Sequence, residues 1–382
     1  MPEFGGKFFK TFQTVAVYEN ALKRHGQYVR WTKAVTCPCL DPMTQQPEPN
    51  CGLCDGRGRI YSVPGTYSIK WETAAHDAIG RIYPKHDGYV PGSMVVYHQG
   101  SVLPLDAVQP PDGSYIQLAR PWPASYSRLH LNYYCSPLKS IISENCTVVY
   151  TNTLRADGCT LSVAGNSVQR AATFPGSIST VKRVFNATRG KYYTASKAEK
   201  NFIYLTAMES WQSGDILEVD YDYVDPYMFL ITGVSPKMRY NQAFILDESS
   251  AILVTPYYHK PGQNDLFTAL AEEHIGEAII DPSLSLTAID TISNYYDLVR
   301  VLAIIDAGGT TYDPSRCVAL TGRNKLMWQV TKPTTHYTVQ FMYNPTYISL
   351  LDFPSMRAAE NKEFVNRINL RQYDQLSGER SF

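Results

Sequence analysis

Four cysteines near the N-terminus have the types and spacing to do chemistry. They read Cys37-Pro-Cys39, then eleven residues, then Cys51-Gly-Leu-Cys54, followed by Asp55-Gly-Arg-Gly58. Two close thiol pairs supply four tetrahedral ligands from two turns, without the entropy cost of closing long loops. Pro42, Pro47 and Pro49 stiffen the intervening stretch and exclude a helix. The glycines after Cys54 suit a tight turn whose amides point back at sulfur. Two disulfides or idle thiols are the competing reading. The paired C-x-C and C-x-x-C spacing favours a metal, with Cys37, Cys39, Cys51 and Cys54 as ligands. Zinc is the first expectation and an iron–sulfur cluster the second, since four thiolates also suit iron. A closed set of four cysteines leaves no open coordination position, so the metal is expected to be structural rather than catalytic.

No other constellation carries a reaction. The sequence has no phosphate-binding loop, no G-x-S-x-G elbow and no H-E-x-x-H. The eight histidines are dispersed, and Glu272-Glu273-His274 reads as a solvated charge cluster. Asp220 and Asp222 share a strand face and read as polar partners of outward tyrosines. Cys135, Cys146, Cys159 and Cys317 are scattered and read as core thiols. Arg57, Arg59, Lys70, Arg81 and Lys85 are interleaved with Glu48, Asp55, Glu72 and Asp87, so any nucleic-acid contact is expected to be incidental. We therefore expect no enzyme.

The elements that position the cysteines follow from periodicity. Residues 12–25 read as an amphipathic helix stopped by Gly26. Gln27-Tyr-Val-Arg-Trp31 alternates as a strand into the cysteine loop, and Arg59-Ile-Tyr-Ser-Val63 leads out. Residues 1–65 thus form a small helix and metal-knuckle unit with too little apolar material to fold unaided, so the metal is its staple.

Beyond residue 65 the period changes to two. Short alternating runs, such as Ser93–Tyr97, Phe202–Leu205, Ile252–Thr255 and Tyr337–Phe341, are separated by Gly, Pro, Asn and Asp clusters. This predicts a mainly β chain of several antiparallel sandwich or barrel modules. Leu266–Ile275 fits a short helix or a strand. A weak repeat links Ile116–Leu118 and Leu129–Tyr134, Ile203–Leu205 and Leu217–Tyr223, and Leu326–Trp328 and Tyr337–Tyr343. The boundaries read as 1–65, then modules at 66–145, 146–235 and 236–355, then a C-terminal arm at 356–382.

The 382 residues carry 35 basic and 35 acidic side chains, which excludes a surface devoted to nucleic acid or anionic membrane. Only 18% are charged and 28 are tyrosine, which suits sheets and obligate interfaces. No apolar run is long enough to span a bilayer. The opening Met1-Pro-Glu-Phe-Gly-Gly-Lys lacks a signal peptide's apolar core, so maturation in a reducing cytosol is expected.

The helix, His25-Gly-Gln-Tyr-Val-Arg-Trp31 and Thr36-Cys-Pro-Cys39…Pro49-Asn50-Cys51-Gly-Leu-Cys54-Asp-Gly-Arg-Gly58 resemble the opening of structural proteins of tailed bacteriophages and prophages. The Gly309-Thr-Thr-Tyr312…Trp328…Tyr337-Thr-Val-Gln-Phe-Met-Tyr-Asn-Pro345 segment resembles strand–turn–strand modules of phage neck and tail proteins. The C-x-x-C-x-G-x-G portion is also similar to zinc modules of DnaJ-type chaperones, but a single copy stands here instead of a tandem set. The phage resemblance implies a virion component made in the host cytoplasm. It would form a ring at the head–tail neck or in the tail and would contact copies of itself and neighbouring virion proteins. The other reading is a tail-tip or baseplate component that binds a host surface or carbohydrate, which requires some of Trp122, Trp211 and Trp328 to be exposed together.

Overall fold

The computed structural model describes residues 20, 22–54, 56–110, 114–124, 127–149, 154–156, 159–162, 167–170, 176–205, 212, 214–233, 250–284, 288–292, 297–321, 323–350, 355–359 and 362–373. The chain is mainly β, in several antiparallel sheets. Its hub is a closed six-stranded barrel. Around the wall run Gln27–Thr36, Tyr227–Gly233, Ser250–Pro256, Lys362–Gln372, Thr346–Ser349 and Leu266–Ala269, and the last pairs with the first. Closure removes the free edges that an open sheet would expose. Alternating side chains fill the interior: Val29, Trp31, Phe229, Leu253, Phe267 and Leu370 are all buried. Trp31 lies near parallel to Phe267, with ring centroids 6.1 Å apart. Its indole N–H donates to Asp265 Oδ2 at 2.9 Å, while Asp265 also accepts from the Ala34 and Gly262 amides. That carboxylate satisfies the polar end of a ring otherwise packed in an apolar core.

Three modules leave and return to this barrel, and they share one topology. In the first, a sheet runs Tyr67–Ala74, Leu129–Cys135, Val95–His98 and Ser101–Leu103. In the second the order Leu138–Val149, Ile216–Val224, Ser177–Asn186 and Lys191–Tyr193 forms one end of a nine-stranded sheet. In the third it runs His274–Ile280, Tyr337–Asn344, Asp297–Asp306 and Thr311–Tyr312. Each module adds a smaller pairing: Arg81–Ile82 with Ile116–Gln117, Ser167–Arg170 with Phe202–Leu205, and Ile289–Thr291 with Lys325–Trp328. The second and third even share bulge positions. Register shifts fall at Ile178/Thr180 and Val181/Arg183 in one, and at Leu298/Arg300 and Val301/Ala303 in the other. The repeat read from sequence is thus a structural repeat. Its first copy also carries the hairpin of Val95–His98 with Ser101–Leu103, where the others carry Ser177–Asn186 with Lys191–Tyr193 and Asp297–Asp306 with Thr311–Tyr312.

The linear division of the chain differs from this topology. The barrel draws on strands from both ends and the middle of the sequence. Lys362–Gln372, read as part of an arm, is a wall strand between Ser250–Pro256 and Thr346–Ser349. Leu266–Ile275, read as one helix or strand, splits between the barrel wall and the third module's outer strand. Of the expected 12–25 helix, residues 20 and 22–25 are helical, with the Gly26 amide donating to the Leu22 carbonyl at 2.7 Å; residues 12–19 and 21 lie outside the described residues.

One buried ionic cluster joins three parts. Asp297 of the third module, fully buried, is paired with Arg30 of the barrel and Lys200 of the second module. Arg30 Nε also donates to Ser177 Oγ at 2.7 Å, and Lys200 Nζ to the Leu298 carbonyl at 3.0 Å.

Candidate metal centre

The cysteines occupy the tip of a β-hairpin rooted in the barrel. Gln27–Thr36 leaves the barrel wall and pairs with Arg59–Ser62, in register from Lys33↔Ser62 to Thr36↔Arg59. The loop between, residues 37–58, is too long to hold one shape on turn chemistry alone. Its backbone folds onto itself at the cysteines. The Cys37 amide donates to the Gly58 carbonyl at 3.0 Å, the Leu40 amide to Cys37 O at 3.1 Å, the Cys54 amide to Cys51 O at 3.3 Å and the Arg57 amide to Cys54 O at 2.9 Å. Gly56 and Gly58 take φ of 73° and 72°, the left-handed region that glycine enters without strain. A Cβ at Gly56 would stand 2.7 Å from the Pro49 carbonyl oxygen.

The four sulfur atoms lie within 4.8 Å of one another. Cys37 and Cys51 sulfurs are 3.7 Å apart, and those of Cys39 and Cys54 are 3.5 Å apart. A tetrahedron with metal–sulfur bonds of about 2.3 Å has edges of about 3.8 Å, so the spacing fits one shared ion. It excludes disulfides, whose sulfurs sit about 2.05 Å apart. All four thiols are free. The Gly58 amide donates to Cys54 Sγ at 3.3 Å, the turn-to-sulfur contact that the glycine spacing leads one to expect. Burial opposes ionisation of Cys54, but the Gly58 amide and the neighbouring thiols outweigh it and bring its pKa down to about 7. Burial, with the Cys37, Cys54 and Cys51 thiols, pushes Cys39 up to about 12 against an opposing backbone bond from Glu48. Cys54 therefore ionises readily, whereas Cys39 needs a cation beside it to do so. The knuckle is tied to the barrel by Arg57 Nη1, which donates to Tyr373 OH at 3.0 Å just past the last wall strand.

Other sequence candidates fall elsewhere. Asp220 and Asp222 do share a face, but their partners are Arg183 and Lys182, while Tyr221 points into the opposite core. Alternation puts the aspartates and tyrosines on opposite faces, which corrects the expected pairing. His76 is buried between the Asp77 and Ala124 carbonyls. Cys135 is a core thiol of the first module, whereas Cys317 is half-buried; the side chains of Cys146 and Cys159 lie outside the described residues. Arg59 donates to Thr36 Oγ1, and Arg81 lies over the Tyr115 ring. Trp328 is buried, with its N–H donating to Asp290 Oδ2 at 3.0 Å, and Trp122 is half-buried beneath the Arg120 guanidinium. Trp211 lies outside the described residues. Trp328 fills its module's core and so cannot contribute to an exposed aromatic surface. Among the described residues the exposed tryptophan is Trp71, which strand alternation did not single out.

Among the described residues, this is the one group of three or more His, Cys, Asp or Glu side chains close enough to share a metal. No described helix is long and apolar enough to cross a membrane. Neither protein-family models nor curated proteins give a match to the chain.

Proposed function

We infer that the chain is a structural protein of a tailed-phage virion, a ring-forming part of the head–tail connection or tail that works by subunit assembly rather than catalysis. The observation that carries this reading is the outer strand of each module. Tyr67–Ala74, Leu138–Val149 over residues 138–147 and His274–Ile280 each pair on one side only among the described residues. They carry exposed Trp71, Ile142 (76% exposed), Ile275 (63%) and Ile279 (77%). Unpaired edges bearing large apolar side chains call for a partner. The resemblance of residues 25–58 to phage openings supplies the kind of particle. The metal is read as structural zinc, held by Cys37, Cys39, Cys51 and Cys54. It staples the hairpin tip so that the tip presents a fixed surface to a neighbour. A variant carrying Cys51→Ser and Cys54→Ser is expected to keep its β-modules folded, by circular dichroism, yet fail to enter particles. Incorporation at normal yield would overturn the reading.

A further inference from the structure

The three modules allow a comparison within one chain. In the first, the outer strand bulges between Ile69 and Glu72, and Trp71 sits there at φ 57°. Its amide is clamped by Asn132 Oδ1 at 2.7 Å. In the second, Ser143 has φ 52° and its amide is clamped by Asp220 Oδ1 at 2.6 Å. The bulge and its clamp recur in two modules, whereas the third module's outer strand pairs without a register shift, and a tryptophan stands at the bulge in the first alone. A bulky side chain at positive φ is costly, and such strain persists where it positions a group for use.

The surroundings differ in the same way. In the second module the clamp Asp220 faces Arg183, which also reaches Glu218 and Ser143, so the charged groups satisfy one another. The register places Asn132 opposite Val95 and His130 opposite Tyr97 at the matching positions of the first module. None of these four is a carboxylate, lysine or arginine. Trp71 stands 5.3 Å from Tyr97, inclined 35°, and 5.5 Å from His130, which meets it edge-on. Trp71 is 56% exposed despite both contacts. The result is an aromatic platform propped from beside and rimmed by the Asn132 amide.

We propose that this face of the first module binds an uncharged pyranose polysaccharide, with a sugar ring laid on Trp71 and Tyr97. An aromatic face carries a negative quadrupole that complements the polarised C–H groups of a pyranose, and the lack of charge at the matching positions fits a neutral ligand. Trp71 is also one of the exposed edge side chains behind the assembly reading, so the two readings compete for this ring, and the test separates them.

The test presents the full chain to an array of neutral oligosaccharides built from gluco-, galacto- and mannopyranose. Wild type should bind at least one saturably. Trp71→Gly suits the positive φ, so it should keep or raise the melting temperature while weakening binding about tenfold or more. Tyr97→Ala should also weaken binding. Tyr83→Ala, which removes another exposed ring of this module, should leave it unchanged. Absence of any saccharide bound by wild type, or equal binding by Trp71→Gly, would overturn the proposal. So would a change of oligomeric state in Trp71→Gly without saccharide binding, which would assign the ring to a subunit contact.

Discussion

A thiol cluster at metal spacing makes Cys54 decisive. Its sulfur accepts from the Gly58 amide and its pKa is brought down to about 7, so replacing it should remove the ion and not merely loosen it. Elemental analysis of purified Cys54→Ser should fall from one metal per chain to near none. Because metal binding requires thiolates, protons compete with it: metal release should increase as pH falls and be complete before the β-modules unfold. A colorimetric chelator followed against pH checks this. Asp297 makes the second residue-scale prediction. Burial alone would raise its carboxyl, but Arg30, Lys200 and Arg323 outweigh that and hold it well below the usual carboxylate range. Its contribution is thus complete above the unfolded value of about 3.9 and is lost as pH falls toward the folded value. Asp297→Ala leaves Arg30 and Lys200 facing an empty partner and should cost about 3–5 kcal/mol in denaturant unfolding near neutral pH. Asp297→Asn should flatten the acid limb of the stability curve.

At the scale of elements, the outer strands carry the assembly claim. Ile279 is exposed on a strand paired only through its other edge, so Ile279→Lys should change stability by less than about 0.5 kcal/mol. The same change should block association, since a charge on a free edge discourages pairing. Sedimentation of wild type and variant at matched concentration reads the difference. Much at this scale was legible in the sequence. Tyr337–Phe341 alternates cleanly because one face is core, and the repeat was visible where Ile203–Leu205 and Leu326–Trp328 hold corresponding sheet positions. The cysteine site was legible because its ligands lie within one loop. Trp71 was not, because its exposure comes from a bulge clamped by Asn132, a partner sixty-one positions away.

For the whole molecule, the barrel explains why the linear domain reading diverged. Its wall joins Gln27–Thr36 to Lys362–Gln372 through intervening strands, and no local pattern announces that closure. The all-buried Leu266–Ala269 shows no alternation at all, since both faces are covered. The barrel in turn sets the relation of the parts: the knuckle hairpin grows from one wall strand, and the modules grow from others. Its core should therefore govern global stability. Trp31→Ala opens a cavity and strands the buried Asp265, so it should cost about 3–5 kcal/mol, with all modules and the knuckle affected together in hydrogen exchange. The central claim is that this assembly of a barrel, three modules and a metal-held tip is a ring subunit. Negative-stain imaging of the purified, metal-loaded chain, with mass photometry on the same sample, tests it most directly. Closed rings of a single subunit number are predicted, and a chain that stays monomeric at every concentration and in the presence of its particle would contradict the account.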